Sequence, residues 1–130
     1  KLTEAMLAGD VARTSRMIEG LRAEGESIVP IVWALTDEVR KLNLFKTQVE
    51  AGEYLPNLMR QNRIWGIREK LIPQALPHLS SPFLKTALRR TSDLDRMAKG
   101  LDRTDPWSAT LELANQIALQ IGTAARRKTR

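Results

Sequence analysis

The sequence contains no cysteine and only one histidine, His78. The lack of cysteine excludes a disulfide scaffold, thiolate metal ligands and a cysteine nucleophile, and it fits a reducing compartment. Without cysteine or a second histidine, only carboxylates remain as metal ligands. The seven glycines are scattered singly, so no glycine-rich phosphate loop is present. We therefore expect no metal, no cofactor and no catalytic residue.

The surroundings of His78 are the only place where catalysis has to be weighed. Ser80 and Ser81 follow it closely, but a serine pair before Pro82 is typical of a helix start, which explains both residues. No carboxylate stands at helical spacing on the side of His78. An enzyme built on His78 is therefore a less favoured hypothesis than a protein-binding or a nucleic-acid-binding domain.

Long apolar runs are also missing from the chain. The longest candidate, Ile28–Leu35, is interrupted by Pro30 and falls far short of the roughly 20 residues that cross a bilayer. We expect no secretory signal before the domain. The chain begins with Lys1, and residues 2–7 are typical of the end of a helix. We expect a cytoplasmic fragment of a longer polypeptide, with no membrane partner.

Aromatic residues make up only 5% of the 130 residues, so the core must be built mainly from leucine, isoleucine, valine and alanine. This length is typical of one domain and allows about two-thirds of the unfolded surface to be buried. No stretch shows the alternation of apolar and polar residues that is typical of a β-strand. The pattern predicts an all-α protein, a compact bundle of five to six helices with short connections.

The clearest predicted helix begins after Ser27, a good N-cap, and ends near Ala51-Gly52. Its charged residues, including Glu38, are assigned to the side opposite the apolar stripe. That stripe contains Ile28, Ile31, Val32, Leu35, Val39, Leu42, Phe45 and Val49.

The other helices are predicted from caps and shorter stripes. Gly9-Asp10 opens one that ends at Gly25, and a short helix covers residues 54–60. A further helical segment covers residues 67–76, and Pro73 and Pro77 predict a kink or break in it. Ser80 starts a helix whose stripe runs from Leu84 to Leu101. The last helix follows Asp105-Pro106 and ends at Gly122, which gives a domain over residues 1–122 and a basic tail over 123–130.

The formal net charge is +6, which invites a nucleic-acid interpretation. Residues 1–65 carry nine basic and nine acidic residues, and four of the remaining bases lie in the last five positions. The body is therefore nearly neutral. Basic residues run along the helix that starts at Ser80 and into the loop after it, with aspartates among them: Arg89, Arg90, Arg96, Lys99 and Arg103. Arg89 and Asp93 are spaced to pair. A solvated charged face is favoured, and contact with phosphate or with an acidic protein surface stays open.

Three tryptophans are present, and each has a core interpretation. Trp107 lies on the apolar side of its helix start. Trp33 lies off the main stripe of its helix, so it either packs against a second helix, which is favoured, or anchors a partner. Trp65 lies in a connection between Arg63 and Arg68, where the core interpretation is again slightly favoured.

Three ordered patterns along the chain carry a resemblance to a known family. The first is Leu7-Ala8-Gly9-Asp10, then Leu21-Arg22-Ala23-Glu24-Gly25-Glu26, then Ile31-Val32-Trp33-Ala34-Leu35-Thr36-Asp37-Glu38-Val39-Arg40. The second is Asn62-Arg63-Ile64-Trp65, then Arg68, Leu71, Ala75-Leu76 and Leu79. The third is Asp95, then Lys99-Gly100-Leu101, then Asp105-Pro106-Trp107. From about Leu2 to Ile121, the chain resembles the C-terminal domain of the delta subunit of the bacterial DNA polymerase III clamp loader.

The resemblance implies a collar-type assembly domain in a replication machine that loads the sliding clamp onto primed DNA. Its partners are then the motor subunits (gamma or tau) and delta-prime. The sliding clamp is reached only through N-terminal modules that this chain lacks, and primed DNA only indirectly. The expected partner interface comprises Trp33, Arg63, Trp65 and Arg68, and the positions expected nearest DNA are Arg96, Lys99 and Arg103. An independent helical nucleic-acid-binding domain is the alternative.

Overall fold

The computed structural model describes the backbone of residues 1–129 and the side chains of residues 1–123, and within that range the protein contains α-helices, one 3₁₀ turn and no strand. Seven α-helices follow one another with short connections. They are α1 (Leu2–Leu7), α2 (Val11–Ala23), α3 (Ile28–Glu50), α4 (Leu55–Gln61), α5 (Arg68–Ala75), α6 (Ser81–Ala98) and α7 (Pro106–Thr129), with a 3₁₀ turn over Leu76–His78. The prediction of an all-α bundle is confirmed.

Helix α3 buries most of the long apolar stripe that its sequence predicts. Ser27 caps it by accepting a hydrogen bond from the Val29 amide at 3.3 Å. Its most extensive contact is with α6, while α7 packs against α1, α2 and α6. Val49, in the last turn, is 36% exposed, so the buried part of the stripe ends at Phe45.

The core is aliphatic, as the composition predicts. Phe45 is the only aromatic side chain among the fully buried residues of the described part of the chain. Leu35, Leu42, Leu84 and Ile117 belong to the same buried cluster, and each is no more than 1% exposed. Trp107 is half-buried and packs against this core, in agreement with its predicted core position.

The two prolines near residue 75 mark the end of α5. Pro73 lies inside α5, which is only eight residues long. Pro77 lies in the 3₁₀ turn that follows, where the Leu79 amide donates to the Leu76 carbonyl at 3.1 Å. Because proline has no amide hydrogen, each of these residues removes one hydrogen bond from an α-helical ladder. The predicted break is confirmed and falls after Ala75.

Gly122 does not end the last helix, contrary to the prediction, because α7 runs on to Thr129. The glycine has a packing reason instead: a Cβ atom built on Gly122 would lie 2.6 Å from the Gly9 carbonyl oxygen. Gly9, in the α1–α2 connection at φ 73°, meets α7 backbone to backbone. The predicted tail over 123–130 lies almost wholly outside the described side chains.

Leu101 was assigned to the buried stripe of α6, and this is wrong. Helix α6 ends at Ala98, and Gly100 reverses the chain at φ 76°. Leu101 therefore lies in the following loop and is 71% exposed. Among the helices of the described residues, none is both long and apolar enough to span a membrane.

Candidate protein-interaction surfaces

Trp33 lies on the outer side of α3 and is 74% exposed, so the favoured core interpretation is wrong and the partner-anchor interpretation remains. It is accompanied by Val29, Pro30 and Ala34, which line a shallow apolar hollow of about 520 Å³ with Trp33 and Asp37. Large apolar side chains exposed together on a soluble protein are typical of interaction sites.

A second hollow, of about 250 Å³, lies on the other flank of Trp33 between α3 and α6. Its charged groups are Asp37, Arg40 and Asp95. Both carboxylates are already paired at i,i+4, Asp37 with Lys41 at 3.0 Å and Asp95 with Lys99 at 2.9 Å. Arg40 has no ion-pair or hydrogen-bond partner among the described side chains. The hollow therefore offers one unpaired positive charge beside an exposed indole.

The connection between α4 and α5 presents the second exposed tryptophan. Ile64 is 2% exposed and anchors the segment in the core, with its amide donating to the Met59 carbonyl at 2.9 Å. Arg63 adopts a left-handed conformation at φ 56°, and Gly66 does so at φ 73°. Trp65 is consequently turned outward and is 66% exposed, so its favoured core interpretation is also wrong. Ile67 beside it is 54% exposed.

Arg68 does not lie free on this surface, as a directly binding residue would. It reaches inward to Glu38 of α3, with Nη2 donating to Oε2 at 3.0 Å and lying 2.9 Å from Oε1. Glu38 is only 3% exposed, so its assignment to the solvent side of α3 is wrong. Arg68 thus ties the start of α5, three residues after Trp65, to the middle of α3.

The Glu38 carboxyl is perturbed by this environment. Burial raises the pKa of Glu38 above its ordinary value of 4.5, while the hydrogen bond and the positive charge of Arg68 oppose that rise. Only one guanidinium nitrogen of Arg68, Nη2, contacts the Glu38 carboxylate. Arg68 Nε is buried without a hydrogen-bond partner. This pair fixes geometry more than it adds stability, because the desolvation of two charges offsets most of their attraction.

The two tryptophans belong to separate surfaces. Trp33 lies five residues before Glu38, which places it about 140° around α3 from the carboxylate that Arg68 contacts. Trp65 lies beside Arg68. Of the predicted interface residues, the structure brings Trp65, Arg63 and Arg68 into one segment, whereas Trp33 stands apart.

The positions predicted nearest DNA lie at the end of α6 and in the loop after it. Arg96, Lys99 and Arg103 are all exposed. Lys99 is paired with Asp95, and Asp102 accepts hydrogen bonds from the amide and hydroxyl of Thr104, which lower the pKa of Asp102. Positive and negative groups therefore alternate here. On the outer side of α6, Arg89 donates to the Thr86 hydroxyl at 3.2 Å, and the predicted Arg89–Asp93 ion pair is not formed.

The polar groups near His78 form a helix cap and a backbone hydrogen bond. Ser80 caps α6 by accepting a hydrogen bond from the Phe83 amide at 3.2 Å. The His78 carbonyl accepts one from Gln120 at 3.5 Å. Within the described residues, no three histidine or carboxylate side chains gather as metal ligands do.

Sequence reasoning missed Glu38 and Arg40, and a signal for the first was present. Ile31, Leu35, Glu38, Leu42 and Phe45 follow one another at alternating spacings of four and three, which places Glu38 in the buried stripe. Arg40 has no comparable signal, because one charged residue on an outer helix face resembles any other.

A comparison of the chain with protein-family models, with curated proteins and with solved structures finds no match.

Proposed function

We propose that the chain is an assembly domain, and specifically the collar domain of the delta subunit of a bacterial DNA polymerase III clamp loader. The three ordered patterns over residues 2–121 support the specific assignment, and the all-helical bundle is compatible with it. The observation that carries the assembly role is the exposure of Trp33 and Trp65, at 74% and 66%, on separate surfaces.

Two separate apolar surfaces are what a subunit of a heterologous ring needs. In such a ring each subunit presents one face to the neighbour on its left and a different face to the neighbour on its right. Tryptophan is enriched among the residues that dominate interface energies, and it is costly to leave in water. Trp33 on α3 and Trp65 in the α4–α5 connection supply one anchor for each face.

Under this proposal the chain has no catalytic activity of its own. Nucleotide hydrolysis belongs to the motor subunits, and opening of the sliding clamp belongs to the N-terminal modules of delta. The domain holds delta in the pentamer, in the bacterial replisome, and its contact with primed DNA is indirect.

The test is to mix the domain with purified motor (gamma or tau) and delta-prime subunits of the matching loader and to measure the mass of the complex by native mass spectrometry. We expect stable incorporation. Trp33→Ala and Trp65→Ala should each weaken incorporation by roughly 30-fold, the size typical of a buried hot spot. Tyr54→Ala is the matched control, since Tyr54 is 66% exposed and belongs neither to α3 nor to the α4–α5 connection. A wild-type domain that stays free contradicts the proposal.

An independent nucleic-acid-binding domain is the second candidate. The observation that favours it is the exposure of Arg89, Arg96, Lys99 and Arg103 along α6 and the loop after it. It predicts that the isolated domain binds primed DNA in a fluorescence-anisotropy titration, with affinity falling steeply between about 50 and 200 mM salt. A version that lacks residues 126–130 separates the two sources of charge. Binding that survives the truncation assigns it to α6, and binding that disappears assigns it to the tail.

A further inference from the structure

The outer side of α3 carries more than Trp33. Val29, Trp33 and Leu44 are 48%, 74% and 38% exposed, and all three lie on the side of the helix turned away from the core. The first and last are fifteen residues apart, which corresponds to about 22 Å of helix. The stripe is thus long enough to accompany another helix for about four turns.

The charge on this stripe is specific. Arg40 lies between Trp33 and Leu44, seven residues after the tryptophan and so about 10 Å further along the same face. The neighbouring carboxylates, Asp37 and Asp95, each pair with a lysine on their own helix, Lys41 and Lys99. Arg40 has no partner among the described side chains, and it lines the hollow beside Trp33. The stripe therefore combines apolar contacts with one exposed positive charge that is not paired within the described part of the domain.

We infer that the outer face of α3 binds an amphipathic helix of a neighbouring subunit, with apolar residues against Val29, Trp33 and Leu44 and a glutamate or aspartate against Arg40. On a partner helix that lies alongside α3, the carboxylate stands about seven residues from the side chain that covers Trp33. The neighbour is a loader subunit only if the proposed function holds, whereas the chemistry of the bound helix follows from this face alone.

The shape of the two hollows agrees with such an occupant. The apolar hollow of Val29, Pro30, Trp33 and Ala34 takes a leucine or similar side chain on one flank of the indole. The hollow between α3 and α6 opens on the other flank, where Thr36, Ser92 and Arg40 provide polar contacts for the carboxylate and its neighbours. Charge complementarity then fixes the register of the two helices, since a lysine opposite Arg40 is repelled.

The test uses a pair of alanine-based helical peptides of 20 residues or so, long enough to cover the stripe. Both carry leucines spaced to meet Val29, Trp33 and Leu44; one has glutamate and the other lysine at the position opposite Arg40. Binding is followed by the fluorescence of the domain and by calorimetry. We expect the glutamate peptide to bind at least about tenfold more tightly than the lysine peptide, the size of one good ion pair.

Variants assign the effect to this face. Arg40→Glu should reverse the preference between the two peptides, and Trp33→Ala should weaken both. Arg16→Glu is the matched control, because Arg16 is exposed on α2 and undergoes the same change of charge. Arg40 has no partner to lose, so its variant should fold normally, which circular dichroism checks.

Equal affinities, an absence of binding, or a preference unchanged in Arg40→Glu would overturn the inference. The peptide experiment contains no loader subunit, so its failure is distinct from the failure of the proposed function. If the domain joins the loader but the peptides do not discriminate, assembly stands and this face is not its acidic-helix site. If the peptides discriminate and the domain does not join the loader, the inference stands and the partner belongs to another assembly.

Discussion

Gly122 sits in the interior of α7, where glycine is normally unfavourable, and replacing it by alanine tests the packing of the bundle. In an exposed helix interior, Gly→Ala stabilises by about 1 kcal/mol through backbone entropy. At Gly122 the added Cβ would lie 2.6 Å from the Gly9 carbonyl oxygen and 3.6 Å from the Gly9 Cα. Both atoms belong to the backbone, so no side-chain rotation relieves the clash.

The size of the effect follows from setting these contributions against each other. Overpacking of a tight contact costs about 1 to 3 kcal/mol, and a backbone–backbone clash belongs at the upper end. Subtracting the gain in helix propensity leaves a net loss of about 1 to 2 kcal/mol for Gly122→Ala. At Gly20, inside α2, an added Cβ meets nothing within 4 Å, so Gly20→Ala should stabilise by about 0.5 to 1 kcal/mol.

The measurement is urea denaturation of the two variants beside the wild type, followed by far-UV circular dichroism. Because the same chemical change is made in two helices, the opposite signs isolate the contact between α7 and the α1–α2 connection. A Gly122→Ala variant that gained as much stability as Gly20→Ala would show that Gly9 and Gly122 are not in close approach.

Three further outcomes are expected. Arg68→Met should destabilise by about 3 kcal/mol, because it leaves the Glu38 carboxylate buried without its counter-charge, and Glu38→Gln in the same background should recover most of that loss in a double-mutant cycle. The folded-state pKa of Glu38 lies above 4.5, so the native state holds this proton more tightly than the unfolded state does. In urea titrations, the wild type should therefore lose stability relative to Glu38→Gln as the pH rises from 4.5 through that pKa. A stability difference that does not depend on pH would refute this. Asp105→Ala should lower the free energy of unfolding by about 1 kcal/mol at neutral pH, as measured by thermal unfolding. At the start of α7, Asp105 accepts hydrogen bonds from the Trp107 amide at 3.1 Å and from the Ser108 hydroxyl at 2.7 Å. Asp93→Ala, at an exposed position, should change stability little.

The sequence predicts the helices well because their signals are local. Ser27 and Ser80 cap helices where a serine before an apolar stripe predicts a start, and both accept the expected backbone hydrogen bonds. The spacing of Ile31, Leu35 and Leu42 selects the buried side of α3 without reference to any other helix. Such features depend on neighbours three or four residues away, which a sequence contains in full.

The interaction surfaces were predicted less well because burial depends on distant parts of the chain. Trp33 and Trp65 favour the core by residue type, yet no helix of the described chain covers either of them. Glu38 lies on the buried side of α3, and its partner Arg68 is thirty residues away in the sequence. Gly122 looks like a helix end until Gly9 is known to lie against it. The errors at Trp33, Trp65 and Gly122 concern contacts between residues far apart in sequence.

The position of the tryptophans gives the protein an internal optical reporter. In most proteins the indoles are shielded in the folded state, and their emission changes on unfolding. Here Trp33 and Trp65 are already in water, and only the half-buried Trp107 is partly shielded by the native core. Emission from the first two should therefore change little when the chain unfolds and should shift to shorter wavelength when a partner covers them. The intrinsic fluorescence of this molecule reports on its association more than on its folding.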